Sequence, residues 1–155
     1  MSLLIQISDP HFGTERPRVV EALVRLVRRE APELVVLSGD ITQRARRGQF
    51  RAAREFVDRL GAAALLAIPG NHDLPDEMQR QLGHAPFQVG GEWLTTNGWQ
   101  LLLLDSWFAE SADGEGQLGV AQLQALEQSL AATPAPHTLV LLHHPPVPMD
   151  SPSMD

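Results

Sequence analysis

The sequence predicts an α/β fold built on a largely parallel sheet. Three observations carry that expectation. Short apolar runs alternate with amphipathic stretches. The first three runs start about 30 residues apart, the spacing of strand–helix–strand units. Each run also empties into a carboxylate, an imidazole or both. In such sheets ligands are held beyond the carboxyl ends of the strands, so the residues that follow each strand are the informative ones. The length of 155 residues predicts one domain over 1–155.

The elements follow in order. Leu3–Ser8 reads as a buried strand. Arg18–Arg29 places Val19, Val20, Leu23, Val24, Leu26 and Val27 at helical spacing, and Pro17 suits the first turn. Leu34–Ser38 is a second strand. Gln49–Leu60 is a helix with Phe50, Ala53, Val57 and Leu60 on one stripe, closed by Gly61. Ala64–Ile68 is a third strand, stopped by Pro69. A short helix is expected over Asp76–Leu82, then β segments at Phe87–Val89 and Glu92–Thr95, with turn signals at Gly90-Gly91 and Asn97-Gly98. Leu101–Leu104 is a strand and Ser111–Gly119 a polar loop. Val120–Ala131 is a helix with Leu123, Leu126 and Leu130 on its apolar face, and Thr138–Leu142 is the last strand.

Composition removes several function classes. There is no Cys, so thiolate metal sites, disulfides and cysteine nucleophiles are excluded. No apolar run reaches the roughly 18–20 residues that span a bilayer. Leu3–Ile7 is too short for a signal-peptide core and lacks a basic flank, so a cytoplasmic protein with no membrane partner is expected. All 12 basic residues are Arg and lie between Arg16 and Arg80, against 11 acids in residues 1–80; residues 81–155 carry 8 acids and no Arg or Lys. That balance argues against nucleic acid as a partner. The cluster Arg44, Arg46, Arg47, Arg51 and Arg54 reads first as a solvated helix face, and second as a landing point for an anionic substrate. No Gly-x-Ser-x-Gly elbow, Walker A loop or Gly-x-Gly-x-x-Gly loop is recognised, so Ser-His-Asp hydrolysis and nucleotide binding of those kinds are not expected.

Asp9-Pro10-His11 follows the first strand and Gly39-Asp40 the second. Gly70-Asn71-His72-Asp73 follows the third, Asp105-Ser106 the Leu101–Leu104 strand, and His143-His144-Pro145-Pro146 the last. Singly these are turn and cap residues. Jointly they put four of the six His at strand ends beside Asp9, Asp40, Asn71 and Asp73. Carboxylates gathered in one place repel each other, and a cation resolves the conflict. Imidazole and carboxylate without thiolate suit Mn, Fe, Zn, Co or Ni. Asp9-x-His11 leaves a strand, so pleat alternation would put both side chains on one side. Asp40 has two oxygens and can bridge two ions. Gly39 and Gly70 allow close backbone approach and positive φ.

In this order and spacing, the motifs resemble the calcineurin-like metallophosphoesterase family, and within it the bacterial cyclic-nucleotide phosphodiesterase branch. The resemblance covers nearly the whole chain. It implies an αββα sandwich with mixed sheets and a centre of two divalent metal ions. It implies that Asp9 and His11 hold one ion, that Asp40 bridges both, and that Asn71 and His143 hold the second, with His144 as the competing choice. His72 would face the phosphate as donor or general acid, Asp73 would orient its ring, and His144 would join His72 in binding substrate. The activity implied is hydrolysis of a small phosphodiester or phosphomonoester, a cyclic nucleotide among them, by a metal-held hydroxide.

The family's Gly-His-x-His element, which completes both metals, occurs nowhere in this sequence. The fold is therefore expected to be shortened at its C-terminal side. Three readings follow: a piece of a longer protein, ligands supplied by a second copy, or a short form with water in the open positions. Metal binding without turnover is the alternative function. An incomplete second sheet would leave an open edge or apolar face, so a homo-oligomer is expected.

Overall fold

The computed structural model describes residues 3–62, 64–83, 87–94, 98–111, 114–132, 136–147 and 149. Eleven elements follow in the order β1 (Leu4–Ile7), α1 (Pro17–Glu30), β2 (Leu34–Ser38), α2 (Arg47–Leu60), β3 (Leu65–Ile68), α3 (Pro75–Leu82), β4 (Phe87–Val89), β5 (Gly91–Leu94), β6 (Trp99–Leu103), α4 (Val120–Ala132) and β7 (His137–Leu141). They form two sheets. The first has the order β1-β2-β3-β4 and is parallel throughout. The second has the order β5-β6-β7, with β5 antiparallel and β7 parallel to β6.

β2 and β3 show how the sequence builds layers. Alternate side chains of a strand point to opposite faces. Val35, Leu37, Leu65 and Ala67 join one core with Val24 and Val27 of α1, Phe50, Phe56, Val57 and Leu60 of α2, and Met78 and Leu82 of α3. Their neighbours Leu34, Val36, Leu66 and Ile68 join a second core with Leu101, Leu103 and Leu141 of the other sheet. Strands covered on both faces carry no polar alternation, which is why both read as unbroken apolar runs.

The helices start and stop where their chemistry requires. Pro17 and Pro75 occupy first-turn positions, where a missing N–H costs nothing. α1 ends on Ala31 and α2 on Gly61, both in the left-handed region. β6 begins two residues before the expected start. Gln100 is fully buried there, yet its amide donates to Glu92 Oε1 at 2.8 Å and accepts from Thr138 Oγ1 at 3.0 Å. Cross-strand partners thus keep a polar residue inside the strand.

α4 departs from expectation. Its Leu stripe predicts a buried face, yet none of its described residues is buried, and Leu123 and Leu130 are about half exposed. The helix is tied instead through Gln122, which accepts from Asp105 N at 3.0 Å and donates to Asp105 O at 2.7 Å. His137, the first residue of β7, packs its ring on Trp99, with centroids 4.8 Å apart. His84, Thr95 and Asn97 lie outside the described residues. No helix among the described residues is long and apolar enough to cross a membrane.

Candidate metal centre

The loops after β1, β2, β3 and β7 meet at one end of the first sheet. The ladder between β1 and β2 runs on past the strands: Asp9 N donates to Gly39 O at 3.2 Å, His11 N to Asp40 O at 3.0 Å, and Phe12 N to Ile41 O at 2.9 Å. Asp9, His11 and Asp40 have φ of 54°, 45° and 49°. A non-glycine residue held in the left-handed region costs about 1–2 kcal/mol and persists only where the surroundings fix it. This corrects the pleat argument for Asp9-x-His11. The two side chains share a side because of left-handed backbone after the strand, not because of strand alternation.

Asp40 is the hub. It is buried, with 4% of its surface exposed. Its Oδ2 lies 3.4 Å from His11 Nε2 and 3.9 Å from His72 Nε2, and its Oδ1 lies 3.6 Å from His143 Nε2. Asp9 Oδ1 is 3.8 Å from His11 Nε2. Two overlapping groups result, one of His11, Asp40 and His72, the other of Asp9, Asp40 and His143. The two oxygens of Asp40 therefore face opposite imidazoles.

Two of the imidazoles around Asp40 are aimed by their other nitrogen. His143 Nδ1 lies 2.9 Å from Ser38 O and donates to it, so Nε2 carries the lone pair toward Asp40. His72 Nδ1 likewise donates to Gln43 O at 2.9 Å, while His72 N donates to Asp40 Oδ1 at 2.9 Å. His11 Nδ1 is buried without a partner among the described residues. His144 does not reach the hub groups. Its Nδ1 sits 2.7 Å from Ser106 Oγ and its ring packs edge-on to His143. Burial, then the neighbouring His143, pushes its pKa below the ordinary histidine value.

Asp73 has a different place from the one expected. Its carboxylate accepts from Ile41 N at 2.9 Å, Thr42 N at 2.9 Å, Thr42 Oγ1 at 2.8 Å and Gly70 N at 3.2 Å. The carboxylate turns inward and ties the loop after β2 to the loop after β3; the ring of His72 is held by Gln43 instead. Burial raises the Asp73 pKa and the four donors pull it back. Asn71 lines a cavity of about 320 Å³ together with His72.

The sequence reading missed three contributors, Ser38, Gln43 and Thr42, and gave Ser106 no role of its own; all four act through hydrogen bonds that no motif marks. It also passed over Gly114-Glu115-Gly116-Gln117-Leu118-Gly119, which spells Gly-x-Gly-x-x-Gly. That run starts well after β6, whereas the dinucleotide fingerprint opens directly from a strand. Here a Cβ on Gly114 would stand 2.9 Å from Asn71 Nδ2, and one on Gly116 would stand 2.2 Å from the His144 ring. The glycines let this loop lie against the site. Gly39 and Gly70 do so from below: a Cβ on Gly39 would meet His143 Nδ1 at 2.2 Å, and one on Gly70 would meet Asp40 Oδ1 at 2.3 Å.

The donor set fits divalent metal. The N···O separations of 3.4–3.9 Å around Asp40 exceed ordinary hydrogen bonds. Two ligands each about 2.1 Å from one tetrahedral ion lie about 3.4 Å apart, the lower end of this range. Ring nitrogens held with their lone pairs toward a buried carboxylate are what such an ion requires.

Comparison with known proteins agrees. The family model described as calcineurin-like phosphoesterase matches residues 3–155. A probable cyclic nucleotide phosphodiesterase of Synechococcus is 36% identical over 98% of this chain and 61% of its own length. The 3',5'-cyclic adenosine monophosphate phosphodiesterase CpdA of Escherichia coli K12 is 31% identical over 94% of this chain and 56% of its own. The chain thus spans about six-tenths of the length of these curated relatives. Among solved structures, a dimetal phosphatase from Danio rerio superposes with a TM-score of 0.68 at 16% identity, over 92% of this chain and 69% of that one. TT1561 of Thermus thermophilus gives 0.68 at 16% identity, over 97% and 71%. With the motifs, the sheet order and the matched residues in agreement, the chain belongs to the calcineurin-like phosphoesterase family.

Proposed function

We propose that this chain carries the catalytic centre of a metal-dependent phosphoesterase acting on small phosphodiesters, cyclic nucleotides among them. The observation that carries the reading is the placement of His11 and His143 on opposite oxygens of buried Asp40, with Asp9 beside both. Asp9, His11, Asp40, Asn71 and His143 would hold two divalent ions. Such ions, when bound, polarise phosphoryl oxygens and lower the pKa of a water.

The chain's own residues supply the rest. His72, anchored at Nδ1 by Gln43 O, presents Nε2 toward the site, and in its imidazolium form would carry a proton there for the leaving oxygen. Asp73 serves as a positioning residue: by gripping the backbone of Ile41, Thr42 and Gly70 it fixes the loops that carry Asp40 and Asn71. His144, behind Ser106, borders the site as a second contact for substrate. Residues 1–155 act as one domain, and the expected self-association would cover the β7 edge, with which no further strand among the described residues pairs.

A second reading is metal binding without turnover. One assay separates them. Protein stripped with EDTA is given Mn, Zn, Fe or Mg and tested on bis(p-nitrophenyl) phosphate and p-nitrophenyl phosphate. Metal-restored turnover with the diester preferred supports the proposal. Bound metal with no turnover supports the second reading, and no binding of any metal overturns both.

A further inference from the structure

The cavity that holds Asn71 and His72 does not end at the candidate centre. Its wall includes Leu74, Trp107 and Phe108. Leu74 and Trp107 also line a neighbouring cavity of about 480 Å³, whose far side is Arg47, Asp76, Glu77 and Arg80. One apolar strip therefore joins the phosphoester end to a polar end. Both cavities fall in the size range of small-molecule sites.

The strip is not ordinary core. Leu74 is half exposed although it follows the Asn71-His72-Asp73 turn directly, and Trp107 is only partly buried. An exposed aliphatic side chain beside a partly open indole, at the mouth of a polar site, is a surface awaiting a flat apolar group. Its backbone is fixed: Trp107 N donates to Asp105 Oδ1 at 2.9 Å, and Gln122 holds Asp105 through both its N and O. Ser111 Oγ, on the same wall as His72, is buried with no partner among the described residues.

The far end selects the occupant's charge. Arg80 Nη2 is 2.6 Å from Glu77 Oε2, and Arg47 Nε is 3.6 Å from Glu77 Oε1. Two guanidinium groups face two carboxylates there, Asp76 included, so no surplus positive charge is left for a second phosphate. Donors and acceptors in equal supply suit a neutral heterocycle with polar edges.

We infer that Trp107 and Leu74 form the platform on which the nucleobase of a nucleotide ester stacks while its phosphodiester lies at His72 and Asn71. This rests on the phosphoesterase reading and adds the residues that discriminate: Trp107 and Leu74 favour base-bearing diesters over small aliphatic ones, with no preference for an extra phosphate. Stacking one base on an aromatic side chain is worth enough that its removal costs about tenfold or more.

The test compares two diesters with one leaving group, thymidine 5'-(p-nitrophenyl phosphate) and methyl p-nitrophenyl phosphate. The ratio of their kcat/KM values should fall about tenfold in Trp107→Ala, chiefly through KM, fall by less in Leu74→Ala, and largely survive in Trp107→Phe. An equal loss on both esters would mean a merely structural role and would overturn the inference. A second readout does not need turnover. With Trp93→Phe and Trp99→Phe, Trp107 is the remaining tryptophan; its fluorescence should be quenched by AMP and not by ribose 5-phosphate in Mg buffer. If neither ester is hydrolysed, the phosphoesterase proposal fails while selective quenching by AMP still upholds the platform. Absence of quenching, or equal quenching by both ligands, overturns it.

Discussion

At the scale of single residues, the site is a division of labour among side chains that the sequence presents as equivalent. His72, His143 and His144 all follow strands, yet their second nitrogens meet Gln43 O, Ser38 O and Ser106 Oγ respectively. Those partners decide which ring turns its Nε2 to Asp40. His72→Ala should lower turnover by about 10²–10⁴, the usual span of a general acid, while metal content stays at the wild-type value. Loss of metal in that variant would make His72 a ligand, a role its place beside His11 and Asp40 permits. Asp73→Ala should strand the buried donors of Ile41 and Thr42. Each unpaired buried donor costs about 1–3 kcal/mol, so a total near 3 kcal/mol is expected. A fall in Tm of about 6–12 °C follows for a chain of this size, measurable by calorimetry.

At the scale of elements, burial on both faces makes β2 and β3 legible and makes α4 misleading. Val35 and Leu37 face the helices and Leu34 and Val36 the second sheet, so an apolar run there has one meaning. The stripe of α4 reads the same way, but nothing among the described residues covers it. The pair Leu123→Gln and Leu130→Gln should therefore shift stability by no more than about 0.5 kcal/mol per site. Phe50→Ala, at a fully buried position of α2, should cost about 3–5 kcal/mol. Denaturant unfolding of both variants checks the contrast; a large loss in the α4 variant would show that its face is covered. Element positions were readable from periodicity and from Pro17, Gly61 and Pro69. The start of β6 was not, because Gln100 becomes a strand residue only through Glu92 and Thr138, its partners on neighbouring strands. The residues proposed as ligands were readable from their places after strands. The left-handed backbone of Asp9, His11 and Asp40 and the inward turn of Asp73 were not, because both depend on hydrogen bonds between loops distant in sequence.

At the scale of the whole molecule, charge and topology converge on one demand. The parallel sheet brings Asp9 and Asp40 to its carboxyl end. Every Arg lies between residues 16 and 80, but among the described residues none forms an ion pair with Asp9 or Asp40, whose nearest ionisable neighbours are histidines. A centre that gathers carboxylates without guanidinium partners is balanced by bound cations. The most direct measurement is metal per chain by elemental analysis, after loading with Mn or Zn and desalting, for the wild type and Asp40→Ala. Two ions per chain in the wild type and almost none in Asp40→Ala is the expected result. Equal metal content in both proteins, or none in either, would contradict the assignment of Asp40 as the shared ligand.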